Sequence, residues 1–497
     1  MSAFMNKSLL YILLFLSIIT GLIHLPFLKS DPEKVITEEG SRDANTDEGL
    51  NSCQIRNFVN QGNITMDKSD NFVKTPLFGG ILYAPFKIFG TKLWVGRLTI
   101  LLISLSICFY IFSRNKYLSI FGIFSFFIVF TQLYIFSYFH YCMAEILATA
   151  FLFLSLYLMI HPYKSKAILK SSLLPAFMLS VTYYIKLQFA YAVFIIPLSL
   201  ILFFIFNLNN RKILIRQFIY TNIFIIAFAL IYFLLWYLPN KSFFDYVMSN
   251  QTGDRFEGFS KMFNRFELNL EYALYTKRLI VYTYSYYILF LIGLVWCFFT
   301  KNKLYKIMFI GLSCWVLLES HKLFLTYFPT RYAISLLFAM GMTMSLTIHE
   351  LFSNTIKNKF SLALKVLSIS ITIFFTVINF GHYYLTYSSR KFELNKINEY
   401  LSSYHFKEKP IIGSWATSVS WESKAISYPI WNNYFNYQDI IKQHKPCVIV
   451  TEVDEKDSDQ SFLSSGINID DYADSIKYFE VNYWKLKLLW IKPEYYK

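Results

Sequence analysis

Charged residues are scarce in this chain. Of its 497 residues, 16% are Asp, Glu, Lys or Arg, whereas soluble domains usually contain about 25%. Glycine is also rare, at 17 residues, against a usual share of about 7%. Together these deficits exclude an ordinary cytosolic enzyme, a disordered chain and a fibrous protein. The six cysteines have spacings that fit no zinc or redox motif.

Apolar and aromatic residues take the place of the missing charges. They raise the hydrophobic fraction to 55% and the mean hydropathy to +0.39. Several apolar runs reach the length of about 20 residues that a transmembrane helix needs. The sequence therefore predicts a polytopic α-helical membrane protein with about eleven transmembrane helices. The predicted spans are 8–28, 93–112, 117–136, 143–161, 168–185, 188–206, 217–238, 284–300, 305–320, 331–349 and 362–383.

The distribution of Lys and Arg predicts how these helices are oriented. With the N-terminus inside, the loops assigned to the inside carry fifteen basic residues and a single acid, Glu350. Those residues supply nearly the whole net charge of +15. The basic balance is therefore a topology signal under the positive-inside rule, and it does not predict a nucleic-acid partner.

Three larger segments fall on the opposite, outer side: 29–92, 239–283 and 384–497. We predict a transmembrane domain over 1–383 and a small extracytoplasmic α/β domain over 384–497. The second contains 14 Lys and Arg and 15 Asp and Glu, the mixed composition of a soluble fold. Its predicted elements are strands at Pro410–Gly413 and Cys447–Thr451, a helix at Asp439–Gln443, and a hairpin or paired strands at Tyr478–Ile491.

Glu145 is the only acidic residue between positions 71 and 244. It lies at the predicted outer end of the fourth span. A carboxylate inside a membrane is costly and often marks a functional site. Alternatively, Glu145 is an interfacial acid that favours a helix N-terminus, and both interpretations stay open at this point.

A second pair of acids, Asp47 and Glu48, lies in the first outer loop. Asn45 or Thr46 can cap a helix there, with Glu48 answering as in a capping box, and Gly62 can end it. The pattern predicts a short helix in the membrane interface. Without further context, Asp47 and Glu48 are simply first-turn acids that complement the helix dipole.

Lys74 begins the stretch Lys74-Thr75-Pro76-Leu77, which continues into an aromatic segment ending at Gly90. These residues predict interfacial or re-entrant helices. Lys74 either contacts an anion or extends to the lipid headgroups. Arg97-Leu98 then opens the second span.

These residues, in this order, resemble the GT-C superfamily of membrane glycosyltransferases. The similarity is greatest to bacterial aminoarabinose transferases and protein O-mannosyltransferases, and it is best over about 40–150. Looser similarities are Tyr184-Ile185-Lys186 and Phe328-Pro329-Thr330-Arg331-Tyr332. The chain departs from the family pattern where Thr75-Pro76 replaces Pro-Pro, and where Glu145 replaces the commoner Asp.

The resemblance implies roles for particular residues. It implies that Asp47 is the catalytic base with Glu48 in support, and that Glu145 is the second acidic position. Lys74 matches a residue that meets the lipid phosphate. Arg331 matches a basic residue near the donor phosphate, and Lys186 is a further phosphate-binding candidate.

The implied reaction moves a sugar from a polyprenyl-phosphate-linked donor to a hydroxyl of a lipid, glycan or protein acceptor. Polyprenyl phosphate is already a good leaving group, so the reaction needs a base near the hydroxyl and positive charge near the phosphate. One carboxylate base without a nucleophilic partner fits single displacement with inversion. We expect a multi-pass protein of a bacterial inner membrane whose active site faces outward.

Several alternatives remain open. Asp457-Ser458-Asp459 has the form of a nucleotide-sugar metal motif in a highly charged stretch. Glu319, His321 and Lys322 cluster near the end of the ninth span and could line the site, bind phosphate or hold a divalent metal ion, and His140 is a further site-lining candidate. The competing functional class is a transporter or lipid flippase, which favours helices broken near the membrane midplane.

Overall fold

The computed structural model describes residues 7–33, 43–62, 64, 71–160, 168–252, 259–353, 359–404, 406, 409–430, 440–453, 462–464 and 466–495. Helices dominate up to residue 404. They are α1 (Lys7–His24), α2 (Asp43–Gln61), α3 (Pro76–Phe89), α4 (Leu93–Phe112), α5 (Lys116–Ile128), α6 (Leu133–Phe139), α7 (Ala144–Ile160), α8 (Ile168–Ile185), α9 (Ile195–Ile205), α10 (Arg211–Tyr232), α11 (Lys241–Thr252), α12 (Phe259–Leu274), α13 (Ile280–Phe299), α14 (Lys303–Glu319), α15 (Thr330–Phe352), α16 (Lys359–Ser388) and α17 (Glu393–Ser402).

Nine helical segments in the described part of the chain are long and apolar enough to cross a membrane. The count is ten if α5 and α6 form one broken span, and α7 is a shorter apolar helix of 17 residues. Each of the eleven predicted spans coincides with one of these segments, so the predicted fold class is confirmed.

The third predicted span is not a continuous helix, and this part of the prediction is wrong. Helices α5 and α6 are bent by 98° relative to each other. The side chain of Gln132 accepts a hydrogen bond from the Ile135 N–H, at 2.9 Å. This cap starts a new helix inside a stretch whose apolar run looks uninterrupted.

Burial separates the inner helices from the outer ones. The apolar window of α15 is 100% buried, whereas the corresponding values are 11% for the segment beginning with α10 and 17% for α1. Helix α15 is therefore the centre of the bundle. The exposed apolar faces of α1 and α10 are typical of helices that contact lipid.

A five-stranded sheet forms the C-terminal part. Its strands are β1 (Ile411–Ile412), β2 (Ser427–Tyr428), β3 (Val448–Glu452), β4 (Ala473–Val481) and β5 (Trp484–Ile491), in the order β2-β1-β3-β5-β4. Strand β1 is parallel to β2 and β3, while β5 is antiparallel to β3 and β4. Along β3, Val448 and Val450 belong to one apolar cluster and Ile449 to another, so both faces of the sheet are covered.

The predicted strands β1 and β3 and the β4–β5 hairpin lie where the sequence placed them, whereas β2 was not predicted. Two short helices accompany the sheet, α18 (Ala416–Val419) and α19 (Ile440–His444). The second agrees with the predicted helix, except that Asp439 lies outside the described residues. The Asp457-Ser458-Asp459 motif also lies outside them.

Helix α2 corrects a prediction about the first outer loop. It begins at Asp43, so Asn45 and Thr46 lie inside its first turn and the capping-box prediction is wrong. Gly62 ends the helix as predicted, with φ +80° and its N–H bonded to the Phe58 carbonyl. Residues 44–57 are all buried, so this part of the helix is enclosed by protein rather than lying in the membrane interface.

Candidate active site

Asp47 and Glu48 face different partners although they are adjacent in α2. Successive residues of an α-helix point about 100° apart around its axis. The Asp47 carboxylate Oδ2 lies 2.7 Å from Arg331 Nη1. The Glu48 carboxylate is bound by Arg97 instead. The two acids therefore belong to different ion pairs.

Asp47 is one end of a buried chain of charges. The Nε of Arg331 lies 3.6 Å from Glu145 Oε1, and Lys186 donates a hydrogen bond to the same oxygen. The four side chains, in the order Asp47, Arg331, Glu145 and Lys186, are at most 11% exposed. We call this set the charge chain. Two acids balance two bases, which is the condition under which charges are tolerated in such an environment.

Four separate elements bring the charge chain together. Asp47 comes from α2 and Glu145 from the first turn of α7, where the helix dipole favours a negative charge. Lys186 directly follows α8, and Arg331 lies in the first turn of α15. The ring of Tyr332 is 5.6 Å from Lys186 Nζ and 5.1 Å from Arg331 Cζ, so it contacts both cations.

Glu48 accepts three hydrogen bonds, two of them from Arg97. Arg97 donates to both of its oxygens, at 2.8 Å and 2.5 Å, and the Cys142 N–H donates at 2.6 Å. Arg97 also donates to the carbonyls of Phe27 and Ser30, each at 2.7 Å. Glu48 and Arg97 thus tie α2 to the chain segments on either side of it. Sequence reasoning gave Arg97 no role, although it is the only charged residue in α4, which is a signal of an intramembrane ion pair.

The C-terminal part also holds α2 in place. Arg56 Nη2 donates to the Thr417 carbonyl at 2.6 Å, and Asn57 binds both the N–H and the carbonyl of Ser427. A Cβ atom at Gly49 would lie 2.5 Å from the Thr417 backbone, so glycine permits the close approach. Burial lowers the pKa of Arg56 to about 10, which leaves its guanidinium charged at neutral pH.

His140 does not contact Glu145 through any bond seen in the structure. Its Nε2 lies 2.9 Å from Glu33 Oε1, and its Nδ1 lies 3.0 Å from His24 Nδ1. Tyr141 donates to Glu33 as well. Burial raises the pKa of Glu33 to about 8. Sequence reasoning missed Glu33 because nothing in a loop of mixed polarity marks one acid as buried.

Lys74 ends the 3-10 turn Asn71–Lys74, which packs against α2 and immediately precedes α3. Its side chain is half-buried. The neighbouring carbonyl of Val73 accepts a hydrogen bond from the Trp236 indole at 2.8 Å. The structure therefore places Lys74 on the element next to Asp47, and its predicted contact with a phosphate stays a prediction.

Glu319, His321 and Lys322 form a neighbouring group. Lys322 Nζ lies 2.7 Å from Glu319 Oε2, and Tyr191 donates to the other oxygen of Glu319. Lys322 reaches the Tyr332 carbonyl at 3.5 Å, while His321 is exposed and contacts the Leu318 carbonyl. Within the described residues, no group of three or more His, Cys, Asp or Glu side chains is arranged to hold a metal ion.

Known proteins resemble this chain in structure but not detectably in sequence. No protein-family model matches it, and no curated protein matches it significantly. ArnT from Cupriavidus metallidurans, solved with undecaprenyl phosphate bound, superposes with a TM-score of 0.60 at 10% identity, over 96% of this chain and 97% of that one. The apo structure of the same ArnT gives a TM-score of 0.62 at 10% identity, over 97% and 98%. This likeness confirms a GT-C fold of the ArnT type.

Proposed function

We propose that this protein transfers a sugar from a polyprenyl-phosphate-linked donor to an acceptor hydroxyl. The observation that carries the proposal is the charge chain, in which the Asp47 carboxylate lies against the buried Arg331, and Glu145 links Arg331 to a second buried cation, Lys186. Its setting in a fold shared with ArnT, a protein solved with undecaprenyl phosphate, supports a lipid phosphate as the anion.

In this proposal Asp47 is the general base. The acceptor O–H gives its proton to an Asp47 oxygen while the acceptor oxygen forms a bond to the anomeric carbon of the sugar. The bond from that carbon to the phosphate oxygen breaks, and polyprenyl phosphate leaves with the electron pair. A single displacement of this kind inverts the anomeric configuration.

Arg331 and Lys186 then stabilise the departing phosphate. In the structure, Arg331 lies against Asp47 at 2.7 Å. A bound phosphate competes for the same guanidinium, which releases the Asp47 oxygen for the acceptor. Glu145 contacts both cations and orients them, so its role in the proposal is to position rather than to accept the proton. Lys74 would add a further cation at the lipid phosphate.

The contacts around the charge chain support these proposed roles. The Glu48–Arg97 pair and the hydrogen bonds to the C-terminal part both hold α2. Asp47 is therefore fixed relative to Arg331. Helix α12 packs nearby, with Tyr272 Oη 3.3 Å from Thr330 Oγ1. We propose that the 239–283 segment, which includes α12, helps to exclude water, since water would hydrolyse the donor.

The proposed side of the membrane follows from charge. The described residues of the Lys- and Arg-rich loops lie at the helix ends opposite the charge chain. With the positive-inside rule, the active site faces outward from a bacterial inner membrane. The domain division at residue 383 belongs to the same proposal, with residues 384–497 outside the cytoplasm.

The test measures release of polyprenyl phosphate from a panel of polyprenyl-phosphate-linked sugars with candidate acceptors. Because a general base contributes roughly 10²- to 10⁴-fold, Asp47→Asn should lower release by that factor while remaining folded. Asp470→Asn is the control, since Asp470 lies in the C-terminal sheet region, is 52% exposed and pairs with Lys487 at 3.4 Å. Undiminished release by Asp47→Asn would refute the role of Asp47. Folded wild type that releases nothing from any donor would count against the transferase and favour lipid translocation.

A further inference from the structure

A cavity of about 450 Å³ opens at the end of the membrane helices opposite the charge chain. It is bounded by the end of α4, the beginnings of α5 and α14, and the last turns of α7. Glu145 and Ile160 mark the two ends of α7, and at 1.5 Å per residue they are separated by about 20 Å. The cavity is therefore distinct from the candidate active site.

The wall and the rim of this cavity differ in chemistry. Its wall is largely apolar, with Ile111, Leu156 and Met308 among the lining residues. Its rim is polar and includes Asn209 and Lys303, and Lys303 is exposed. The Nδ2 of Asn209 is buried and has no hydrogen-bond partner among the described residues. An amide donor left unpaired in this way is costly unless a ligand accepts its hydrogen bonds.

The charges around the cavity are complementary to an anion. None of its lining residues within the described chain is acidic. Arg114 and Arg211 are exposed and adjoin the lining residues Asn115 and Asn209 closely in sequence. Glu350, the one acid of the inside loops, is bound by neutral donors from Tyr117, Thr300 and Asn302 at 2.7–3.0 Å. The hydrogen bonds of the Glu350 carboxylate are therefore supplied by neutral donors rather than by Lys303.

We propose that this cavity binds one anionic phospholipid of the leaflet at the Lys- and Arg-rich end. The acyl chain lies along the apolar wall, and the phosphate accepts hydrogen bonds from Lys303 and Asn209. The volume is within the range of roughly 300–1,000 Å³ that ligand sites occupy. Basic pockets between transmembrane helices bind anionic headgroups in this way. A zwitterionic lipid can have the same acyl chains, but the basic residues at the rim add less to its binding free energy.

Gly311 offers a direct way to fill the cavity. It lines the cavity from α14, and an added Cβ would lie 3.8 Å from Leu156 and 4.0 Å from Met159. These are ordinary van der Waals distances, so a larger side chain extends into the empty space without a backbone clash. Gly381 is the matched control, because it also lies within a helix and a Cβ there meets nothing within 4 Å.

The experiment is native mass spectrometry of the full-length protein titrated with phosphatidylglycerol or with phosphatidylcholine of identical chains. Wild type should retain one phosphatidylglycerol at least about tenfold more tightly than phosphatidylcholine. Gly311→Leu should lose that binding by about tenfold or more, and Gly381→Leu should keep it. Lys303→Gln should weaken phosphatidylglycerol about fivefold, the effect of one basic residue near a membrane surface, and weaken phosphatidylcholine less.

Two outcomes would overturn the proposal. Equal retention of both lipids by wild type would refute anion recognition. Gly311→Leu that binds phosphatidylglycerol like wild type would refute this location. If Gly311→Leu fails to fold, Lys303→Gln still decides, because loss of discrimination supports the site and unchanged discrimination refutes it. None of these positions belongs to the proposed catalytic machinery, so the lipid titration is independent of sugar transfer.

Discussion

The two ends of the membrane helices treat charge in opposite ways. At the end that holds the candidate active site, Asp47 and Glu145 pair with Arg331 and Lys186 inside the protein. At the other end, Arg114, Arg211 and Lys303 are exposed, and Glu350 is held by neutral donors. Burying a charge costs several kcal/mol unless it is paired. The buried charges of the charge chain are therefore paired with one another, whereas the buried acid at the far end, Glu350, is satisfied by uncharged donors.

The largest expected effect is on stability, from breaking the Glu48–Arg97 pair. Arg97→Met leaves Glu48 buried without its partner, and such changes cost about 3–5 kcal/mol. Arg211→Met at the opposite end removes an exposed charge and should stay within about 0.5 kcal/mol. Denaturant unfolding in detergent measures both. Similar losses for the two variants would show that the ends do not differ in this respect.

Glu145 and Glu350 allow the two ends to be compared by their effect on sugar transfer. Glu145→Gln removes the charge that orients Arg331 and Lys186, and we expect sugar transfer to fall on the order of 10²-fold. Glu350→Gln changes an acid at the far end and should leave the rate near that of wild type. Initial rates of polyprenyl phosphate release check this. Equal losses would mean that Glu145 acts through the fold rather than through the cations.

Substitutions at two glycines should show that the C-terminal part packs tightly against the end that holds the candidate active site. Gly49→Ala puts a methyl group 2.5 Å from the Thr417 backbone, and overpacking of this kind costs about 1–3 kcal/mol. Gly311→Ala makes only ordinary contacts at the other end, so it should be neutral or slightly stabilising. Thermal unfolding of the two variants checks the difference, and a destabilised Gly311→Ala would contradict it.

A pH dependence of stability is expected from Glu33. Its folded-state pKa of about 8 is above its ordinary value of 4.5, so the folded state binds the proton more tightly. The stabilisation is complete below about pH 4.5 and is lost as the pH rises to about 8. The melting temperature of wild type should fall across this range, and that of Glu33→Gln should fall less. Parallel slopes would refute the assignment, with Asp470→Asn as the exposed-acid control.

Much of the membrane region could be predicted from composition and periodicity. Each of the eleven predicted spans has a counterpart, because about 20 apolar residues leave the backbone few alternatives in lipid. The break between α5 and α6 was missed, since Gln132 looks like one polar residue in an apolar run. In the C-terminal part, the two-residue strand β2 is too short to give a period-two pattern.

The candidate site was predictable only in part. The isolation of Glu145 in the sequence and the family resemblance at Asp47 indicated both acids, and Arg331 and Lys186 followed from looser similarity. Glu33 and Arg97 were not assigned roles, because burial and partners are properties of the folded chain. His140 was predicted to line the site, and its contacts are with Glu33 and His24.

By itself, the sequence determined that this is a multi-span helical membrane protein with its basic residues at one end and a few conspicuous acids elsewhere. Local composition is sufficient for this, because each span must satisfy its own backbone in lipid. Only the tertiary structure decided that Asp47 faces Arg331 while Glu48 faces Arg97. That choice depends on where α4, α7, α15 and the C-terminal sheet meet α2, and contacts between residues tens to hundreds of positions apart leave no local pattern in the chain.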